Sequence, residues 1–169
     1  MTLEGFRPAA VLAPVVVRAD ELTLLLTERT SDLPSHAGQV AFPGGKIDAT
    51  DRDAAACAVR EAAEELGLAP AQAEVLGRLD DLPTPTGFVI SPVVALVRAE
   101  PLLHPNPSEV ASFFYAPLEA LRDPSCFEVL GVRELLGVHY ELYAYRFEGH
   151  TIWGATARMV KRILELAYS

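Results

Sequence analysis

"FPGGKIDATDRDAAACAVREAAEELGL", residues 42–68, joins a double-glycine turn to an alanine-rich segment with three glutamates, Glu61, Glu64 and Glu65, inside five positions. From Asp53 to Leu66 the segment reads as a helix. Ala55, Val59, Ala62 and Leu66 fall on one apolar stripe, with Cys57 and the three glutamates elsewhere, and Gly67 stands where a helix ends in a left-handed residue. Like charges at helical spacing cost an isolated helix about 0.2–0.5 kcal/mol per pair, so something must compensate. Glu61 lies three positions from Glu64 and four from Glu65, so the three side chains are expected to converge on one side of the helix. A hard divalent cation with oxygen ligands would stabilise such a cluster. Arg60, at i,i+4 to Glu64, offers a second means. Taken by itself, "EAAEE" is equally a solvated acidic face.

Working outward, 169 residues suffice for one domain with a sizeable core, and a single domain over 1–169 is expected. Half of the residues are hydrophobic and 22% are charged, which excludes a disordered chain. No apolar run reaches the length of a membrane span, and "MTLEGFRPAA" lacks the basic start and apolar stretch of a signal peptide, so the expected location is the cytoplasm, with no membrane partner. Net charge is −9, from 14 basic and 23 acidic side chains, which argues against a nucleic-acid partner held by a broad basic face. A compact anionic ligand needs cations or a few placed arginines. Cys57 and Cys126 have no metal-type spacing and read as packing residues.

"AAVLAPVVV" and "LTLLLTERT" read as a hairpin around "RADE". A short strand ends in "AFPGG", where the proline and glycines force a turn. "FVISPVVALV" is a strand, and "PLLHPNPSE" an exposed, proline-rich connection. "VASFFYAPLEALR" is a strand followed by a short helix near Pro117, "GVHYELYAYRFEGHTIWG" is two strands around Glu148–His150, and "ATARMVKRILELAYS" is an amphipathic closing helix. The irregular alternation indicates α+β, with a mixed sheet between helices, rather than a doubly wound fold.

The glycine pair followed by "REAAEELGL" resembles the signature box of the Nudix hydrolase superfamily. Counting back from Arg60 places Arg52 at the family's isolated glutamate and leaves one residue extra after Gly45. Asp51 and Asp53 flank that position, and either replaces the glutamate or the role is absent. Upstream, "LLTERTSDLPSHAGQVAFPGG" resembles the coenzyme A pyrophosphatase branch of that superfamily. Leu25, Leu26, Thr27, Arg29, Gly38, Phe42, Pro43, Gly44 and Gly45 match, whereas Thr30 replaces a small residue and Pro34 an arginine that would donate to phosphate. "LDDLPTPTGFVISPVVA", "NPSEVASFFYAPLEAL" and "IWGATARMV" are similar to further segments of the branch, in the same order.

The resemblance implies a Nudix fold and metal-dependent hydrolysis of the pyrophosphate of coenzyme A or its derivatives, giving 4′-phosphopantetheine or its acyl form and adenosine 3′,5′-bisphosphate. It also implies that Glu61, Glu64, Glu65 and the Gly44 carbonyl hold Mg²⁺ or Mn²⁺, with one more carboxylate from outside the box, Glu109 or Glu128. Arg29, His36 and Gln39 are the candidates for meeting the phosphates or the pantetheine arm, against the plainer readings of a surface ion pair for Arg29, a turn cap for His36 and backbone satisfaction for Gln39. Thr84, Thr86 and Gly87 are either an opposite wall or an ordinary turn. Trp153 is expected in the core rather than as a stacking platform. Two other readings stay open: a pyrophosphatase acting on NADH or ADP-ribose, and a Nudix fold that binds ligand without catalysis, against which the intact carboxylates argue.

Overall fold

The computed structural model describes residues 3–34 and 37–169. The expected hairpin forms β1 (Arg7–Arg18) and β2 (Glu21–Arg29), antiparallel from Val15↔Leu24 to Arg18↔Glu21. Beyond Leu24 the two strands part. The gap is filled by β3 (Val40–Ala41), which pairs with β2, and β4 (Gly44–Lys46), which pairs with β1. The Phe42–Pro43 link therefore lies in a split of the sheet, and the glycines open a strand rather than only a turn. Gly44 is required there: a Cβ would come within 2.4 Å of the Ala10 carbonyl oxygen.

α1 (Ala54–Leu66) follows, then β5 (Glu74–Arg78), β6 (Leu82–Pro83) and β7 (Phe88–Val97). β7 runs parallel to β1 over its whole length, from Arg7↔Phe88 to Val16↔Val97, and carries β5 and β6 on its other edge. β8 (Val110–Pro117) pairs with β2 and leads into the short α2 (Leu118–Leu121). Among the described residues these strands make one mixed sheet, and β9 (Phe127–Leu135), β10 (Val138–Phe147) and β11 (His150–Trp153) make a separate antiparallel one. β9 has no counterpart among the expected elements: its side chains are largely exposed, with apolar and charged residues on both faces, so no alternation announces it. α3 (Gly154–Ala167) closes the fold.

Alternation along the central strands divides the core. Leu12, Val16 and Leu25 pack with Ala58, Ala62 and Leu66 of α1 on one face. Val15, Leu24 and Leu26 pack with Val160, Ile163 and Leu164 of α3 on the other. Leu24, Leu25 and Leu26 are each fully buried, a contribution of about 1.5–3 kcal/mol per side chain relative to exposure. The fold is α+β, with the mixed sheet held between helices, as expected. No helix among the described residues is long and apolar enough to cross a membrane.

The buried face of α1 differs from the expected stripe. It runs through Ala54, Cys57, Ala58, Ala62, Glu65 and Leu66, with Ala55 and Val59 only partly covered. Rotating the helix this way turns small side chains onto the sheet and carries Glu65 inside with them.

Candidate active site

Asp53 caps α1, its Oδ1 accepting from the Ala56 N–H at 2.8 Å, and Gly67 ends the helix at φ 70° with its N–H on the Ala63 carbonyl. Asp51 does something different. The Arg60 guanidinium donates to it twice, Nε to Oδ1 at 2.9 Å and Nη2 to Oδ2 at 2.8 Å, and the Asp48 N–H adds a third bond. Of the two acids flanking the extra residue, Asp51 is the one that meets Arg60. These bonds hold its carboxyl well below the usual carboxylate range. The remaining Arg60 nitrogen, Nη1, reaches Glu61 at 3.2 Å and Glu64 at 3.2 and 3.3 Å.

The three box glutamates therefore do not share one environment. Glu64 points outward, 56% exposed, against Arg60. Glu65 is 6% exposed and Glu61 half-buried beside it. Burial pushes Glu65 up to about 8; Glu109 and Glu61 add to the rise, while the Gly44 N–H and Arg29 oppose it. Glu61 is raised for the same first reason, with Glu64 and Glu109 opposing its charge and Arg60 favouring it. Cys57 packs beneath, its thiol pushed up to about 11 by burial, and is no reactive group. Gly45 lets Glu61 approach: a Cβ there would stand 2.6 Å from Oε1.

Glu109 reaches the cluster through the connection after β7. Instead of lying free on the surface, this segment docks on the end of α1, where the His104 N–H bonds the Leu66 carbonyl and the Asn106 N–H the Glu65 carbonyl, each at 2.8 Å. Two carbonyls that a helix terminus leaves open are thereby satisfied. The Glu109 carbonyl then accepts from the Thr30 N–H, and its carboxylate faces Glu61 and Glu65. Glu128 lies elsewhere, on β9 with Arg146 at 2.9 Å.

Arg29, at the end of β2, stands close enough to Glu65 to favour its charge. Its Nε is buried with no hydrogen-bond partner among the described residues. Its backbone N–H donates to the Gln39 carbonyl at 2.9 Å, so Gln39 adjoins the same corner. His36 lies outside the described residues. Thr84, Thr86 and Gly87 form a self-contained turn, Thr84 Oγ1 meeting Thr86 Oγ1 at 3.0 Å and the Phe88 N–H at 3.2 Å. Trp153 is not in the core: 41% exposed, it lines a groove of about 450 Å³ with Glu28, Gln39 and His150.

The buried donors are carboxylate oxygens facing one another with little positive charge among them, which suits a hard divalent cation. Among the described residues no three His, Cys, Asp or Glu side chains already form a metal-holding group, and Arg60 engages Glu64 and reaches Glu61. Comparison with known proteins decides the family, since residues 6–130 match the NUDIX domain. The chain belongs to the Nudix family. It is 44% identical over 158 residues to a protein of Yersinia enterocolitica named uncharacterized Nudix hydrolase NudL, covering 93% of this chain and 80% of that one. A NudL protein of Photorhabdus laumondii is 40% identical over 159 residues, with coverage of 94% and 84%. The fold is shared with the Nudix hydrolase RenU of M. Smegmatis, at a TM-score of 0.65 and 20% identity over 96% of this chain and 86% of that one. This Nudix protein is thus a hydrolase of pyrophosphate bonds, of a family that uses divalent metal ions.

Proposed function

We propose that this Nudix hydrolase, acting as one domain over residues 1–169, cleaves the pyrophosphate of coenzyme A and its derivatives, giving 4′-phosphopantetheine or its acyl form and adenosine 3′,5′-bisphosphate. One observation carries the substrate reading. Two residues of the stretch that resembles the coenzyme A branch, Arg29 and Gly45, border the carboxylate cluster, Arg29 favouring the charge of Glu65 and Gly45 admitting Glu61.

Glu61, Glu64, Glu65 and the Gly44 carbonyl hold Mg²⁺ or Mn²⁺, and Glu109 rather than Glu128 is the further carboxylate. The ion supplies charge neutralisation for the phosphoanhydride and activation of water. Carboxylate oxygens not used as ligands accept the proton of the attacking water. Arg29 brings a guanidinium to the phosphates, its unpartnered Nε being a donor in need of an acceptor. Gln39, beside it, contacts the substrate next to the phosphates, and His36 is the further substrate-binding residue that the resemblance supplies, for the phosphates or the pantetheine arm. Arg60 orients Glu64 and Glu61 while its other edge is fixed by Asp51.

Pro34, where the branch has an arginine, removes one phosphate donor and keeps NADH and ADP-ribose as the alternative substrates. Incubation with coenzyme A, NADH and ADP-ribose in Mg²⁺, Mn²⁺ or chelator, with products identified by mass, tests the reading. Adenosine 3′,5′-bisphosphate formed from coenzyme A only with metal, and lost in Glu65→Gln, is the expected result. Cleavage confined to NADH or ADP-ribose transfers the activity to those substrates. Metal binding without any cleavage favours a ligand-binding module.

A further inference from the structure

The groove lined by Trp153 includes Gln39 but none of the carboxylates assigned above to the metal. We infer that it seats the amino-bearing nucleobase of the substrate, with the ring against Trp153 and His150 and its exocyclic amine donating to Glu28. This rests on the reading that the pyrophosphate meets the α1 carboxylates.

Three features of the groove agree on the chemical class. Its aromatic members present flat surfaces: Trp153 is 41% exposed, and the His150 ring is held parallel to Phe114 at 3.8 Å between centroids. Its charged lining is acidic, from Glu28 and Glu148, with no arginine or lysine among the described residues that line it. That composition repels phosphate and favours a planar ring that donates hydrogen bonds. Among the described residues, Ser112 Oγ and His150 Nδ1 both meet Glu28 at Oε2, each at 3.5 Å, which sets the carboxylate beside the His150 ring.

The split sheet connects the groove to the carboxylates. Leu24 and Leu26 on β2 face the α3 side and Leu25 the α1 side, and the same alternation sends Glu28 and Arg29 to opposite faces, with a bulge between them. Gln39 and Val40 border the groove, whereas Gly44 and Gly45 border Glu65 and Glu61. Val40 and Gly44 are four residues apart, at most roughly 14 Å of chain. A nucleotide with its phosphates at Arg29 and its base in the groove would have to span that distance.

Trp153 is the sequence's single tryptophan, so its fluorescence reports the seat without any turnover. The full chain is titrated in chelator with adenosine 5′-monophosphate, inosine 5′-monophosphate and ribose 5-phosphate. Saturable quenching by the adenine nucleotide is expected, about tenfold weaker for the inosine nucleotide, whose carbonyl faces Glu28, and none for ribose 5-phosphate. Glu28→Gln should bring the two nucleotides to equal affinity. In calorimetric titrations, Trp153→Ala should lose about tenfold in affinity for the adenine nucleotide and Trp153→Phe should recover most of it. Equal quenching by both nucleotides, or none, overturns the inference. Coenzyme A turnover with no adenine-specific quench also overturns it. The specific quench without turnover upholds the seat and counts against the proposed function instead.

Discussion

Two groups of carboxylates with opposite electrostatics gather around one helix. On its outer side Arg60 binds Asp51 through two hydrogen bonds and holds Glu64, and Asp51 is kept strongly acidic. On its inner side Glu65, Glu61 and Glu109 face one another, and Glu65 is pushed up to about 8. The outer group has its counter-ion built in. The inner group has Arg29, a backbone N–H and a share of Arg60, which reaches Glu61 at 3.2 Å, against three acids, so its charge is in deficit of cations. Side-chain type does not distinguish the groups. Which carboxylate the arginine reaches does.

The largest effect that separates them should come from Glu65→Gln. Metal-dependent hydrolysis is expected to fall by more than ~100-fold, exceeding the loss typical of residues that merely support a metal ligand. The same variant should melt higher than wild type at pH 8 in chelator, because a buried like charge is removed. If it melts lower, the inner group is not strained by charge.

Arg60→Ala opens the outer group. It uncovers Asp51 and releases Glu64 and Glu61, so a lower denaturation midpoint is expected together with an activity loss of about 10–100-fold. Full activity in this variant would mean that Arg60 does not orient the glutamates.

The pH dependence sharpens the contrast. Between the ordinary carboxylate range and about 8, the folded chain keeps a proton on Glu65 that the unfolded chain releases. Stability in chelator should therefore fall as pH rises through that window, by about 1.4 kcal/mol for each unit of displacement. Asp51 acts in the opposite sense, its stabilisation being lost only as pH falls below the usual carboxylate range. Thermal melts from pH 4 to 9 should show the decline, and Mg²⁺ should flatten it.

The two glycines test geometry rather than charge. In Gly45→Ala the new methyl meets the flexible end of Glu61, so an activity loss of about tenfold with little change in melting is expected. In Gly44→Ala it meets the Ala10 backbone, and stability should fall by about 1–3 kcal/mol. The smallest effect belongs to Glu128→Gln, whose rate should stay near wild type, while Glu109→Gln should lose about tenfold. Equal rates for the two variants would remove Glu109 from the site.

Much of the fold was legible because periodicity and turn residues are local. The first hairpin, the strand over Phe88–Val97, the left-handed stop at Gly67 and the closing helix all lie where their patterns indicate. β9 was not legible, since a strand that buries almost nothing lacks the alternation that burial imposes. The α1 stripe was misread because alanines and a cysteine make a weak hydrophobic face, and packing on the sheet chose the rotation.

The sequence determined by itself which residue types were available: a run of carboxylates at helical spacing, an arginine beside them and glycines small enough to approach. Tertiary structure decided how they are used. Asp51 rather than Asp53 took Arg60, because Asp53 was consumed by the helix N-terminus. Glu109 rather than Glu128 joined Glu65, because the segment before it satisfies the open carbonyls of α1. Trp153 came to line a groove rather than the core, with residues more than a hundred positions away in the chain. Burial and charge act through space, and no spacing along the chain encodes which acid will lie beside a cation and which will lie beside another acid.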